Sequence, residues 1–213
     1  MEKFTTLTAI AAPLLRINID TDAIIPSREM KRVSKDGLAE GLFAGWRYLS
    51  PGSREENPEF ILNREPYRHA RILLSGVNFG CGSSREHAVW ALHEWGIRAI
   101  VAPSFGSIFH GNCVRNGIVP VVLDNAAVEV LARQVEADPG RHLVTVDLAQ
   151  LAVTAPDGSR HPFSLPDADR EMLLEGLDSI AVTLKRDGEI LAFRDRDRTR
   201  RPWIYLPTLQ ERL

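Results

Sequence analysis

Apolar residues in the middle of the chain fall in short unbroken runs, each followed by a stretch whose apolar positions recur with helical spacing. Residues 71–75, 97–102 and 118–123 read as buried strands. Residues 85–95 read as a helix, with Gly96 placed to end it in a left-handed turn. A second helix is expected to open at Pro103 and Ser104 and to close at Asn116-Gly117. A third spans residues 126–137, with Val128, Leu131 and Val135 on one face. Strand–helix alternation of this kind predicts an α/β core built on parallel strands.

The flanks are less regular. Residues 7–17 read as a strand region, interrupted or ended at Pro13. A polar turn, Asn18-Ile19-Asp20-Thr21-Asp22, precedes Ala23-Ile24-Ile25-Pro26. Residues 35–46 suggest a short helix broken by glycines, and residues 51–58 a loop. Past Gly140, residues 142–148 and 151–155 read as strands with a turn at Asp157-Gly158. A helix at 167–175 follows, then the segment 179–184. There is no internal repeat and no low-complexity linker. One domain is expected, with residues 1–70 wrapping a central α/β unit of 71–137 and residues 141–213 completing it.

The strand at 71–75 runs into Asn78-Phe79-Gly80-Cys81-Gly82-Ser83-Ser84-Arg85-Glu86-His87-Ala88. Strand, glycine turn and helix start together aim backbone N–H groups and the positive helix end at an anion. Two hydroxyls and a guanidinium in the same turn suggest a site for a small carboxylate. A simpler reading stands beside it: Ser83 and Glu86 fit a capping box, and the glycines could serve only a tight turn. Three features favour a site. Cys81 lies between two glycines, where its side chain has little to pack against. Ser83, Ser84 and Arg85 are consecutive, and one of them would suffice as a cap. Arg85 stands where the helix dipole disfavours a cation.

Composition removes several function classes. A net charge of -2 gives no reason to expect nucleic acid or an acidic membrane as partner. The basic stretch 194–201 is interrupted by Asp195 and Asp197 and reads as a solvated tail in preference to a subunit contact. No apolar run approaches the ~20 residues of a membrane helix. Cys81 and Cys113 have no Cys-x-x-Cys spacing, and the N-terminus Met1-Glu2-Lys3-Phe4 does not look secretory, so a reduced, cytoplasmic protein is expected. Two cysteines cannot hold a conventional four-iron cluster. The six histidines form no metal pattern. His87 lies four residues after Ser83, so a helix would put both on one side. A dinucleotide-binding oxidoreductase domain is the alternative of another class, but Arg85 stands where G-x-G-x-x-G needs its third glycine. No P-loop is present, and a Ser–His–acid hydrolase lacks its G-x-S-x-G.

The 78–88 segment closely resembles the signature of the small subunit of 3-isopropylmalate dehydratase, the detached swivelling domain of the aconitase superfamily. Asn18-Ile19-Asp20-Thr21-Asp22-Ala23-Ile24-Ile25-Pro26 is similar to that family's N-terminal motif. Ala102-Pro103-Ser104-Phe105-Gly106-Ser107-Ile108-Phe109, continued by Gly111-Asn112, resembles its next βα segment. Gly176-Leu177-Asp178-Ser179-Ile180 resembles its late motif. The matches run in order along nearly the whole chain.

The resemblance implies a swivelling β/β/α fold. It also implies a separate large subunit that holds a [4Fe–4S] cluster, with no cofactor bound by this chain. The implied reaction isomerises 2-isopropylmalate to 3-isopropylmalate by dehydration and rehydration, a step of leucine biosynthesis. Such chemistry needs a base for a carbon-bound proton and a Lewis acid for the leaving hydroxyl. By resemblance Ser83 is the base, and Ser84, Arg85 and Asp22 bind the small dicarboxylate substrate. Asp22 orients or pairs with Arg85, unless it serves only an Asx turn. Cys81, Gly82 and His87 support these groups from behind. One departure stands out: the common bacterial form continues Lys-Gln-Phe-Leu after the N-terminal motif, where this chain has Ser27-Arg28-Glu29-Met30. That change leaves citramalate or dimethylmalate open as substrates. A non-catalytic subunit of the same fold is disfavoured by the intact Asp22, Ser83, Ser84 and Arg85.

Overall fold

The computed structural model describes residues 1–30 and 36–205. They fall into two compact units, one of residues 1–176 and one beginning at Leu177. The first unit is a layered α/β structure with two four-stranded sheets.

The chain enters through β1 (Thr6–Ala9), steps at Ile10 into β2 (Ala11–Leu14), and reaches the short helix α1 (Thr21–Ile24). The expected strand region over 7–17 is therefore two strands in two different sheets, and the break falls at Ile10 and not at Pro13. Their burial shows why the break falls at Ile10. In β1 alternate residues are buried, as in a sheet with one covered face, whereas every residue of β2 is buried. Pro13 does not end the strand. It pairs with Leu74 on an edge strand, where a missing N–H costs no ladder bond. Of the helix expected over 35–46, Lys35 lies outside the described residues. The rest holds a single 3-10 turn at Ala39–Gly41 and the one-turn α2 (Ala44–Arg47).

The core follows the alternation. After β2 come β3 (Ile72–Ser75), α3 (Glu86–Trp95), β4 (Ala99–Ala102), α4 (Ser107–Arg115), β5 (Val119–Val122) and α5 (Asn125–Ala137). Strands β2-β3-β4-β5 lie side by side and parallel, and β3 and β4 are buried at every position. Such strands must be apolar on both faces, hence the unbroken runs in the sequence. Gly96 ends α3 in a left-handed turn, its N–H reaching the carbonyls of His93 and Leu92. Val128, Leu131 and Val135 are the buried face of α5. Helix α4 starts at Ser107, not at Pro103 or Ser104. The Ser104 hydroxyl instead accepts the N–H of Asn78 at 2.9 Å, which holds that segment extended.

The second sheet is antiparallel, in the order β1-β6-β7-β8, from β6 (Val144–Asp147), β7 (Ala152–Thr154) and β8 (Arg160–Pro162). The turn at Asp157-Gly158 joins β7 to β8, a strand the pattern did not suggest because none of its three residues is buried. Helix α6 (Asp167–Glu175) closes this unit. The second unit contains α7 (Ser179–Leu184) and α8 (Asp187–Arg200). The basic stretch expected as a solvated tail is thus largely helical. Helix α8 is polar nearly all round, so it lacks the periodicity that marks a helix. Its one buried side chain, Asp197, is held by Arg201 and by the Tyr205 hydroxyl at 2.8 Å.

Candidate active site

The candidate site lies just beyond the C-terminal ends of the parallel strands, the usual ligand position in open α/β sheets. Three chain segments run on together past those ends. Asn18 N–H donates to the Val77 carbonyl at 2.8 Å, Gly80 N–H to Ile19 at 2.7 Å and Thr21 N–H to Cys81 at 3.0 Å. On the other side Phe79 N–H donates to Ser104 at 3.0 Å and Gly106 N–H to Phe79 at 2.9 Å. The 77–83 turn is a short central strip fixed from both sides.

Gly80 has φ +72, and a Cβ there would lie 2.1 Å from the Phe109 ring, so no other residue fits without moving α4. Phe109 in turn packs against Phe79 with ring centroids 5.4 Å apart. The rigid floor is therefore aromatic, while Gly82, Ser83 and Ser84 above it are exposed and Cys81 is half-buried.

The start of α3 departs from the capping-box expectation. The residue at the N-cap position is Arg85, with extended backbone, and no side chain caps the helix. Ser83 lies outside the helix, so it is not the cap, and its four-residue spacing from His87 does not place the two on one helical face. Ser83 is tied by its backbone: its carbonyl accepts the buried Thr21 hydroxyl at 3.0 Å and the Arg85 N–H at 2.7 Å. Ser83 and Ser84 are both exposed beside the start of α3, where Ala88 N–H reaches the Arg85 carbonyl at 3.2 Å and the N–H groups ahead of it have no partner within the helix.

Arg85 Nη1 donates to Asp22 Oδ1, joining residues 63 apart in sequence. Local capping falls to Asp20 instead, whose Oδ1 accepts Ala23 N–H at 2.7 Å. Asp22 is therefore not spent on an Asx turn. Ser27, from the divergent stretch after the motif, also touches it: its hydroxyl lies 3.3 Å from Asp22 Oδ1. The neighbouring Glu29 is anchored by Arg54 at 2.7 Å and Arg28 at 3.3 Å.

The structure brings Asp22, Ser83, Ser84 and Arg85 to one open face. His87 is placed differently, its ring packed at a tilt against Trp90 with centroids 4.8 Å apart. Sequence reasoning left Thr21 and Asn18 without roles, although both stand in the N-terminal motif. Thr21 holds the Ser83 carbonyl, and the Asn18 side chain accepts from Asn78 Nδ2 at 2.8 Å. Both asparagines have positive φ, a conformation that Asn tolerates better than most residues.

Two titratable groups behind this face are shifted by burial. The His110 imidazole, edge-on to Phe105, is pushed below its ordinary value, and the Cys113 thiol within α4 is pushed well up. Among the described residues no cluster of His, Cys, Asp or Glu could hold a metal ion. No described helix is long and apolar enough to cross a membrane.

Known proteins match most of the chain. The family described as the aconitase C-terminal domain matches residues 1–126, and one described as LeuD_N matches residues 129–167. A 3-isopropylmalate dehydratase small subunit from Cupriavidus necator is 65% identical over 205 residues, covering 96% of this chain and 99% of that protein. One from Paramagnetospirillum magneticum is 48% identical, covering 96% and 100%. The crystal structure of a 3-isopropylmalate dehydratase from Methanocaldococcus jannaschii superposes with a TM-score of 0.62 at 25% identity, covering 89% of this chain and 99% of that one.

Proposed function

The chain belongs to the family of 3-isopropylmalate dehydratase small subunits, and from that premise we propose that it serves a cytoplasmic hydro-lyase of leucine biosynthesis. The reaction is isomerisation of 2-isopropylmalate to 3-isopropylmalate through 2-isopropylmaleate. A separate large subunit completes the enzyme as a heterodimer or larger assembly.

This chain's own donors do not suit an iron–sulfur cluster, which wants about four thiolates or close substitutes. It has two cysteines, and burial keeps Cys113 protonated. On this reading the [4Fe–4S] cluster would be held by the large subunit and would supply the Lewis acid for the leaving hydroxyl.

The residues of this chain do the rest. Arg85 grips a substrate carboxylate with its planar fork, steadied from one side by Asp22. The Ser84 hydroxyl adds a hydrogen bond. Ser83 Oγ, as the alkoxide, takes the carbon-bound proton and returns it on rehydration. Serine is a poor base in water. Its oxyanion becomes usable beside the free N–H groups of α3 and the Arg85 charge, once solvent is excluded. The exposure of Asp22, Ser83 and Ser84 fits this division of labour, since the wall that excludes water has to come from the partner.

The observation that carries the reading is the uncapped start of α3, with Arg85 at its head tied across to Asp22. Arg85 in place of the third glycine also weighs against a dinucleotide site. The contact of Ser27 with Asp22 favours a second reading, a related hydro-lyase acting on citramalate or dimethylmalate.

The deciding experiment assays the chain alone and paired with its large subunit on all three malates. The chain alone should be colourless and inactive, and the pair should turn over 2-isopropylmalate fastest. If isopropylmalate is the slowest of the three, the substrate is wrong while the reaction class stands. Stoichiometric iron and sulfide in the isolated chain would refute the division of labour.

A further inference from the structure

Glu86 poses a problem for the site. It follows Arg85 directly and puts a carboxylate in the first turn of α3, next to a surface proposed to bind a dicarboxylate. The capping-box expectation would have bent it back onto the helix start. It goes elsewhere: Glu86 Oε1 accepts Asn116 Nδ2 at 2.8 Å, from a residue at the far end of α4.

Asn116 is fully engaged. The same Nδ2 donates to the Asn112 carbonyl at 2.9 Å, and its Oδ1 accepts the Trp90 indole N–H at 3.0 Å. One half-buried amide thus binds the first turn of α3 through Glu86 and its second turn through Trp90, while its own backbone ends α4. Trp90 also packs against the tilted His87 ring. Arg85 thus turns to Asp22 and Glu86 to Asn116, so two successive side chains part at one helix start.

We infer that Asn116 is a positioning residue for the site: it holds the Glu86 carboxylate on the α4 side of helix α3, away from the substrate, and fixes the helix start that presents Arg85. The amide suits this role because it donates to Glu86 and accepts from Trp90 at once. A carboxylate at the same place could still accept from Trp90 but would repel Glu86. The inference rests on the reading of Arg85 as the substrate grip.

The test uses the small subunit paired with its large subunit and measures kcat, KM and melting temperature. Asn116→Asp should raise KM for 2-isopropylmalate by about tenfold, the order expected for losing a hydrogen bond to a charged group, with a much smaller change in kcat. Adding Glu86→Gln to that variant supplies an amide that donates to the newly introduced carboxylate, and should return KM close to the wild-type value. A structural role alone would not produce this rescue.

An unchanged KM in Asn116→Asp overturns the inference, and so does a raised KM that Glu86→Gln fails to restore. Should Asn116→Asp not fold, Asn116→Ala replaces it. It releases the Glu86 carboxylate and the helix start while leaving the carboxylate in place, so KM should rise in that variant with a much smaller change in kcat, and an unchanged KM overturns the inference. Arg85→Lys in the same assay separates the two levels. If it leaves KM unchanged, the reading of Arg85 itself fails. If it raises KM while the Asn116 variants do not, the failure is confined to Asn116.

Discussion

Helices α3 and α5 both follow a strand of the same parallel sheet, and they begin in opposite ways. The turn into α5 is short. Asp124 caps it, accepting Ala127 N–H at 2.7 Å, so a carboxylate of the chain itself sits at the helix start. The turn into α3 is long, carries two positive-φ glycines, lacks a side-chain cap and has a cation at the N-cap position. A side-chain cap takes up a first-turn N–H and puts its own carboxylate where an anion would bind. An uncapped start is less stable alone and available to an anion. The fold tolerates the second kind because the turn is fixed by its flanks, through Ile19, Thr21 and Ser104 and through the Phe109 ring under Gly80, and not by its own cap.

The largest expected effect would break this contrast at Ser83. If Ser83 is the base, Ser83→Ala should lower kcat by ~10²–10⁴, the loss typical of an acid–base group. Its melting temperature should barely move, since Ser83 caps nothing and its fold-holding contacts are made by its backbone. Kinetics and thermal unfolding on one sample decide the matter. Near-normal kcat would move the base elsewhere, most plausibly onto the large subunit.

The mirror experiment is Asp124→Ala. Losing a real cap costs ~1 kcal/mol, so the melting temperature should fall by a few degrees while kcat and KM of the folded enzyme stay put. A Ser83→Ala variant that loses more stability than Asp124→Ala would mean that the two helix starts are not built differently after all.

What could be read in advance tracks how local its cause is. The Gly96 stop, the apolar face of α5 and the bounds of α6 follow from neighbouring residues and were legible. The 78–88 turn was legible as an anion site because its glycines, hydroxyls and guanidinium are contiguous. Its partners were not: Asp22 came from family resemblance, and Asn116 from nothing, because bonds spanning 63 and 30 residues leave no periodic trace. Ser83 and Glu86 satisfied the capping-box spacing, yet long-range ties drew both away from it. Strand β8 and helix α8 bury too little to show a period, and the crossing between sheets at Ile10 leaves an apolar run that looks like one strand.

The smallest shift expected is in the stability of Arg85→Ser, and its sign is informative. The N-cap position of α3 already has the extended backbone that a capping serine uses, with φ -89 and ψ 105. A hydroxyl there can accept a first-turn N–H, as Asp124 does for α5, for a gain of ~1 kcal/mol. Against this stands the lost pair with Asp22. Its side chains are 24% and 56% exposed, so solvent screens it, and pairs of this kind contribute ~0.2–1 kcal/mol. The balance is a gain of between zero and about 0.8 kcal/mol. Arg85→Ser should therefore melt at or slightly above the wild-type temperature while its KM for 2-isopropylmalate rises steeply. A clear fall in melting temperature would show that the Asp22 tie, and not the flanking strip, holds the start of α3 in place. The uncapped turn would then be a structural necessity of the fold and not a site kept open for a ligand.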